Sequence, residues 1–365
     1  MKKNSLEKWI VLLAGVGLVV SMFAGCSKSS ANAQQTAKTA VAAAPATAAE
    51  TKEATATQPA KKEAKDLKVA LVLPGTANDK GWNQEAYDGL MEIKKMGCQT
   101  ACSEKVAASD FESVFRGYAD RGYDVVFGHG TEFEDAAKAV APDYPNTMFC
   151  ITSSDISQAP NVCSLQNLNN QQGFVAGLVA AEASKSKKVA AIGGMEIPSI
   201  QSFIIGFKQG VAYADNGTVA MTAFTGDFDD AAKVKEQANA FIEKGADILT
   251  HDADQAGLGL FEAVKDAPEG TYAIGVVKDQ YAELPSRVLT SATNFIGKGM
   301  AVAVQDYLDG NLHAECYKFG IKEGVIGLAD YHDCADVLTA EQKQFITDTM
   351  KKVASGEITV KSAQK

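Results

Sequence analysis

The sequence predicts an α/β protein of two doubly wound lobes, each a parallel sheet with helices on both faces. Three observations predict it. Short, nearly continuous apolar runs recur from Leu67 onward, as strands buried on both faces do. Amphipathic helical patterns separate them, so consecutive strands run parallel with right-handed crossovers. The alternation starts afresh at Lys188, so two series share a pattern without sharing letters.

"LKVALVLPG" reads as the first strand, and Ala86, Leu90, Ile93 and Gly97 then share one helical face. A weaker strand near 100–107 precedes a helix with Phe111, Val114, Phe115 and Tyr118 in register. "YDVVFGHG", a helix from Phe133 to Val140, and "TMFCITS" complete the first series. A long helix over 166–184 leads to the second. There "KVAAIGG", "VAMTAF", "ADILTHDA" and "YAIGVV" are strands, with helices over 198–215, 229–244 and 257–266 between them. "RVLTSATN" and a helix over 296–310 return toward the first lobe. "CYKFGIKEGVIGLAD" reads as two short strands, and 339–354 as a terminal helix.

A length of 365 residues fits two or three domains. With 22% charged and 46% hydrophobic residues the chain is neither disordered throughout nor a polytopic membrane protein. Lys+Arg 35 against Asp+Glu 45 gives a net charge of -10, which repels phosphate backbones and argues against nucleic-acid partners.

The N-terminus reads as an address. Lys2, Lys3 and Lys8 precede an apolar run from Trp9 to Ala24, too short for the roughly 20 residues of a spanning helix. Its end, Phe23-Ala24-Gly25-Cys26, resembles a bacterial lipoprotein signal over residues 1–26, with Cys26 the lipidated residue. The alternative is an uncleaved anchor helix with an incidental cysteine. Residues 27–66 hold 14 Ala and no aromatic residue, a composition expected of a disordered Ala/Thr/Lys-rich tether. The lobes are then expected at 67–172 plus 291–312 and at 173–290 plus 313–355, with hinge crossovers near 166–173, 284–291 and 313.

Six further cysteines cluster as Cys98/Cys102, Cys150/Cys163 and Cys316/Cys334. An even number in an exported chain suggests local disulfides; buried free thiols are the alternative. A metal site is disfavoured, because no Cys-x2-Cys pair exists.

In open parallel sheets, ligands bind beyond the carboxyl ends of the strands. Facing sheets would make a cleft, with Trp82, Asn83, His129 and Ser153 from one lobe and Phe228, Asp252, Asp254, Lys278 and Asp279 from the other. Trp82 and Phe228 can stack on a flat ligand while polar groups hold its edges. The carboxylates suit a hydroxyl-bearing or cationic ligand. The competing reading is structural: Asp and Asn after strands cap helices, and the aromatics pack.

The letters themselves resemble the basic membrane protein (BMP) family of bacterial substrate-binding lipoproteins. "KVALVLPGTANDKGWNQEAYDGL" is similar to the family's opening. "GFVAGLVAA", "VAAIGGMEIPSIQSFIIGFKQG", "FTGDFDDAAK", "KGADILTHDADQAGLGLFEAVKD", "YAIGVVKDQ" and "FGIKEGVIGL" follow in order over about 67–330. The resemblance implies a type I periplasmic-binding-protein fold. It also implies delivery of a small solute to an ABC transporter permease from a lipid-anchored site outside the cytoplasm. Trp82 and Phe228 would sandwich a purine nucleoside, with Asn83 supplying an amide. Two positions depart from that pattern. Val277 stands where an acid is common, and Asn294 stands near the place of a lysine, so a nucleobase or another flat heterocycle fits as well.

No G-x-S-x-G elbow or P-loop is present, and the four histidines lack metal spacing. The expectation is a monomeric, non-enzymatic receptor with no cofactor and no metal. A surface lipoprotein that senses its ligand without transport is the alternative function. A cleft nucleoside hydrolase would need a positioned nucleophile or metal that the sequence does not offer.

Overall fold

The computed structural model describes residues 62–79 and 81–364, so the expected signal, Cys26 and the tether up to residue 61 lie outside the described residues. Residues 62–66 already belong to the body: Ala64–Asp66 form a 3-10 turn and Lys62 is ion-paired with Asp124.

Five strands open the first sheet: β1 (Lys68–Val72), β2 (Gln99–Ser103), β3 (Val125–His129), β4 (Met148–Thr152) and β5 (Val162–Asn167). A late strand, β11 (Cys316–Phe319), joins its edge, giving the all-parallel order β11-β5-β4-β3-β1-β2. The second sheet holds β6 (Lys188–Gly193), β7 (Val219–Phe224), β8 (Ile248–Asp252), β9 (Tyr272–Val277), β10 (Val288–Asn294) and β12 (Ile326–Leu328). Its order, β12-β10-β9-β8-β6-β7, repeats that of the first, except that β12 runs antiparallel. The α/β class and the doubled parallel architecture are therefore as the sequence predicts.

Strand alternation builds two layers per sheet. Val69 and Leu71 face α1 (Trp82–Lys95) and α8 (Ile296–Asp309), while Ala70 and Val72 face α2 (Phe111–Asp120) and α3 (Glu134–Val140). In the second sheet Val189 and Ala191 face α4 (Asn169–Ala183), α5 (Pro198–Tyr213) and α9 (Ala340–Ser355). Ala190 and Ile192 face α6 (Ala231–Glu243) and α7 (Leu258–Asp266). Helix α4 has no polar face and is buried nearly all round. It packs on α5 through glycines: a Cβ on Gly173 would meet the Phe203 carbonyl at 1.9 Å, and one on Gly206 the Asn170 carbonyl at 1.9 Å.

Three expectations need correction. Residues 291–294 were expected with the first lobe, yet β10 pairs with β9 in the second sheet, and only α8 crosses back. Residues 313–319 were expected with the second lobe, yet β11 pairs with β5, Cys316 opposite Ser164. The chain therefore passes between the sheets at 168, 295 and 320–325, not near 284–291 or 313. Backbone bonds tie the three passages together, Leu168 N to Phe319 O at 2.9 Å and Phe295 N to Val325 O at 2.8 Å.

The described cysteines are free thiols. Cys98 and Cys102 lie four residues apart along extended chain, about 13 Å, beyond the reach of a disulfide. Cys316 sits in the first sheet and Cys334 in the core under the second, so that local pairing does not form. Cys150 and Cys163 are in direct register on β4 and β5, with Sγ atoms 2.9 Å apart.

Candidate functional site

Both sheets end at one cavity of about 310 Å³. Its walls are the loops after β1, β3 and β4 on one side and after β6 to β10 on the other, with the start of α4 as floor. Strand order reverses at β1/β3 and at β6/β8, so the cavity lies at the switch points where open α/β sheets bind ligands.

Trp82 opens α1, and its position follows from Asp79. That carboxylate accepts from the backbone N–H groups of Gly81 at 2.9 Å, Asn83 at 2.8 Å and Gln84 at 3.0 Å, capping the helix. It also takes Asn83 Nδ2 at 2.7 Å. A Cβ on Gly75 would meet that nitrogen at 2.6 Å, so only glycine leaves the amide its place. Behind Trp82 lies His129, with ring centroids 4.2 Å apart and planes at 23°. The His129 Nε2–H donates to Trp82 O at 3.1 Å, so Nδ1 accepts from the Thr152 hydroxyl at 2.8 Å. Burial lowers the imidazole to about 4, opposed by the Trp82 carbonyl, so it is neutral and backs the indole. Phe228 has a comparable backing: a Cβ on Gly194 would sit 2.4 Å from its ring.

Of the sequence candidates, Trp82, Asn83, Ser153, Phe228, Asp252 and Asp254 line the cavity together. His129 is one layer behind the wall. Lys278 reaches Asp88 at 3.6 Å, and Asp279 accepts from the Tyr281 N–H at 3.1 Å and meets His332 at 2.7 Å; neither lines the cavity. Glu132, Asn169, Gln172, Ser199, Val277 and Asn294 also line it, beyond the sequence candidates. Strand-end position was the available signal for Val277 and Asn294, which are the two departures noted above.

The lobes touch across the cavity. Asp254 Oδ1 accepts from Trp82 N at 3.4 Å, and Asn167 Nδ2 donates to Asn294 Oδ1 at 2.7 Å. Burial, then the Asp254 charge, raises Asp252 to about 8. Burial, then Asp79, raises Asp254 to about 7, with the Trp82 N–H opposing. No Lys, Arg or His among the described residues lines the cavity, so an anionic ligand is disfavoured. Ser153, Asp254 and Val277 carry φ of 57°, 48° and 68°. Backbone strain of this kind, marked at a β-branched valine, concentrates at functional sites.

The family model for ABC transporter substrate-binding proteins of the PnrA-like type matches residues 66–364. The chain belongs to this Bmp family. It is 28% identical over 298 residues to basic membrane protein A2 of Borrelia garinii subsp. bavariensis, covering 80% of this chain and 88% of that one. It is 28% identical to the ABC transporter nucleoside-binding protein BmpA of Lactococcus lactis subsp. cremoris, covering 81% and 90%. An ABC transporter solute-binding protein from Aeropyrum pernix has the same fold, with a TM-score of 0.73 at 22% identity, covering 82% and 94%. The Bmp chain is thus an ABC transporter substrate-binding protein with a type I periplasmic-binding-like fold. Among the described residues no helix is long and apolar enough to cross a membrane.

Proposed function

We propose that this Bmp protein captures a flat heterocycle of the purine nucleoside or nucleobase class and presents it to an ABC importer from a lipid anchor at Cys26. The observation that carries the reading is that Trp82 and Phe228, from opposite lobes, line one cavity. A volume of about 310 Å³ is at the small end of small-molecule sites, in keeping with a compact ring system. Stacking on each lobe alone is incomplete, so the ligand favours the closed arrangement and shifts the population toward it. Asn83, Asn169, Ser153 and the aspartates would hold the edges of the ring and of any sugar. The nucleoside-binding relative supports this ligand class.

Calorimetry against purine and pyrimidine nucleosides and bases tests the reading. Saturable binding of at least one heterocycle, lost with Trp82→Ala, is expected. Absence of heat across the whole set would overturn it. Loss of uptake on deletion distinguishes import from sensing without transport.

A further inference from the structure

Groups with a single hydrogen-bonding role set the polarity of the cavity. Asp79 holds Asn83 Nδ2, so the amide oxygen Oδ1 is turned away and has no partner. The Ala292 carbonyl accepts from Gln172 Nε2 at 2.9 Å. Gln172 Oε1 must therefore accept, and it does so from Asn294 Nδ2 at 3.3 Å. Asn294 Oδ1 accepts in turn from Asn167. The amides of Asn83, Gln172 and Asn294 thus each donate one N–H within the protein. The unpartnered buried side-chain atoms on the described lining are Asn83 Oδ1, Asn169 Oδ1 and Asp252 Oδ2, on residues that are 5%, 6% and 7% exposed. The two amide oxygens are acceptors, and Asp252 Oδ2 is one once its carboxyl is ionised. Asp254, Asp229 and Glu132 add further carboxylates to a lining that also holds Trp82 and Phe228.

A buried carboxylate without a partner is costly, and aromatic faces attract cations. We infer that the cavity selects a flat, positively charged heterocycle bearing N–H donors, with its charge placed on Asp252 and Asp254 between Trp82 and Phe228. This rests on the receptor reading above and narrows its ligand. In the empty cavity the aspartate pair retains protons at neutral pH, because burial and the negative Asp79 and Asp229 disfavour its ionised form. The Trp82 N–H is the donor that favours the Asp254 anion. A bound cation supplies the missing countercharge, so a proton leaves to the buffer as the ligand enters.

Adenosine with 1-methyladenosine and cytidine with 3-methylcytidine are pairs of nearly equal shape in which methylation confers positive charge at pH 7. Calorimetry at pH 7 in phosphate and in Tris reads affinity and proton release together. In at least one pair the methylated cation is expected to bind about tenfold tighter or more. Its heat should differ between the buffers. Asp252→Asn and Asp254→Asn should each bring the affinity ratio toward one. Circular dichroism identifies a variant that fails to fold, and the wild-type buffer comparison then decides alone. If the neutral member binds as well in both pairs, or if heats are buffer-independent, the inference falls and the receptor reading stands. If no heterocycle binds, both fall.

Discussion

Trp82 has one indole face on the neutral His129 and belongs to the cavity wall, while Phe228 rests on the bare backbone at Gly194. Both rings are held before any ligand arrives, which lowers the ordering cost of binding. Trp82→Ala should weaken binding of the cognate heterocycle by about 1–3 kcal/mol, by analogy with base stacking on aromatics. Phe228→Ala should lose a similar amount. Titration calorimetry checks both, and a full-affinity Phe228→Ala protein would show that stacking is one-sided. Trp82, Asn83 and Phe228 were legible in the sequence because they follow strands. The backing role of His129 was not, because it depends on a contact across two neighbouring loops.

At the scale of elements, the α4–α5 contact is glycine on carbonyl, with a Cβ on Gly177 reaching the Phe207 carbonyl at 2.1 Å. Backbone cannot yield as a side chain can, so Gly177→Ala should cost about 1–3 kcal/mol, read as a lower denaturation midpoint. Gly173, Gly177, Gly206 and Gly210 stand at helical spacing, yet only the docked helices show why. The buried chain from Asn167 through Asn294 to Gln172 is a second such element, placed beside two of the passages between sheets. Asn294→Leu would strand the Asn167 donor and the Gln172 acceptor. A destabilisation of about 1–3 kcal/mol should appear in urea melts.

Across the whole molecule, charge burial makes stability depend on pH. Asp252, Asp254 and Glu85, raised chiefly by burial to about 8, 7 and 7, keep protons in the fold that the unfolded chain has already lost. Their contribution is present at lower pH and disappears as pH rises through 7 to 8. His129 and His251, both lowered by burial to about 4, act at the acid end, where stability falls as pH drops from about 6.5 toward 4. Between pH 6.5 and 8 the acids act alone. The unliganded protein should then lose on the order of 2 kcal/mol, seen as a falling melting temperature. Asp252→Asn should flatten that slope. Ligand should also compact the molecule, and small-angle scattering with and without it reads the change.

Hydrophobic period and strand-end position determined much from the sequence alone: two parallel sheets, the alternation of helices, and the cavity at the strand ends; the family came from the resemblance of its motifs. These depend on local pattern, which the chain carries wherever it folds. Tertiary structure decided the rest. It placed β10 and β11 on sheets opposite to those expected, because strand partners late in the chain are chosen by register across distant segments. It separated Cys316 from Cys334 and moved Lys278 and Asp279 off the cavity. It also left the oxygens of Asn83, Asn169 and Asp252 without a partner in the protein, since the bonding of an amide or carboxylate is set by its neighbours and not by its letter.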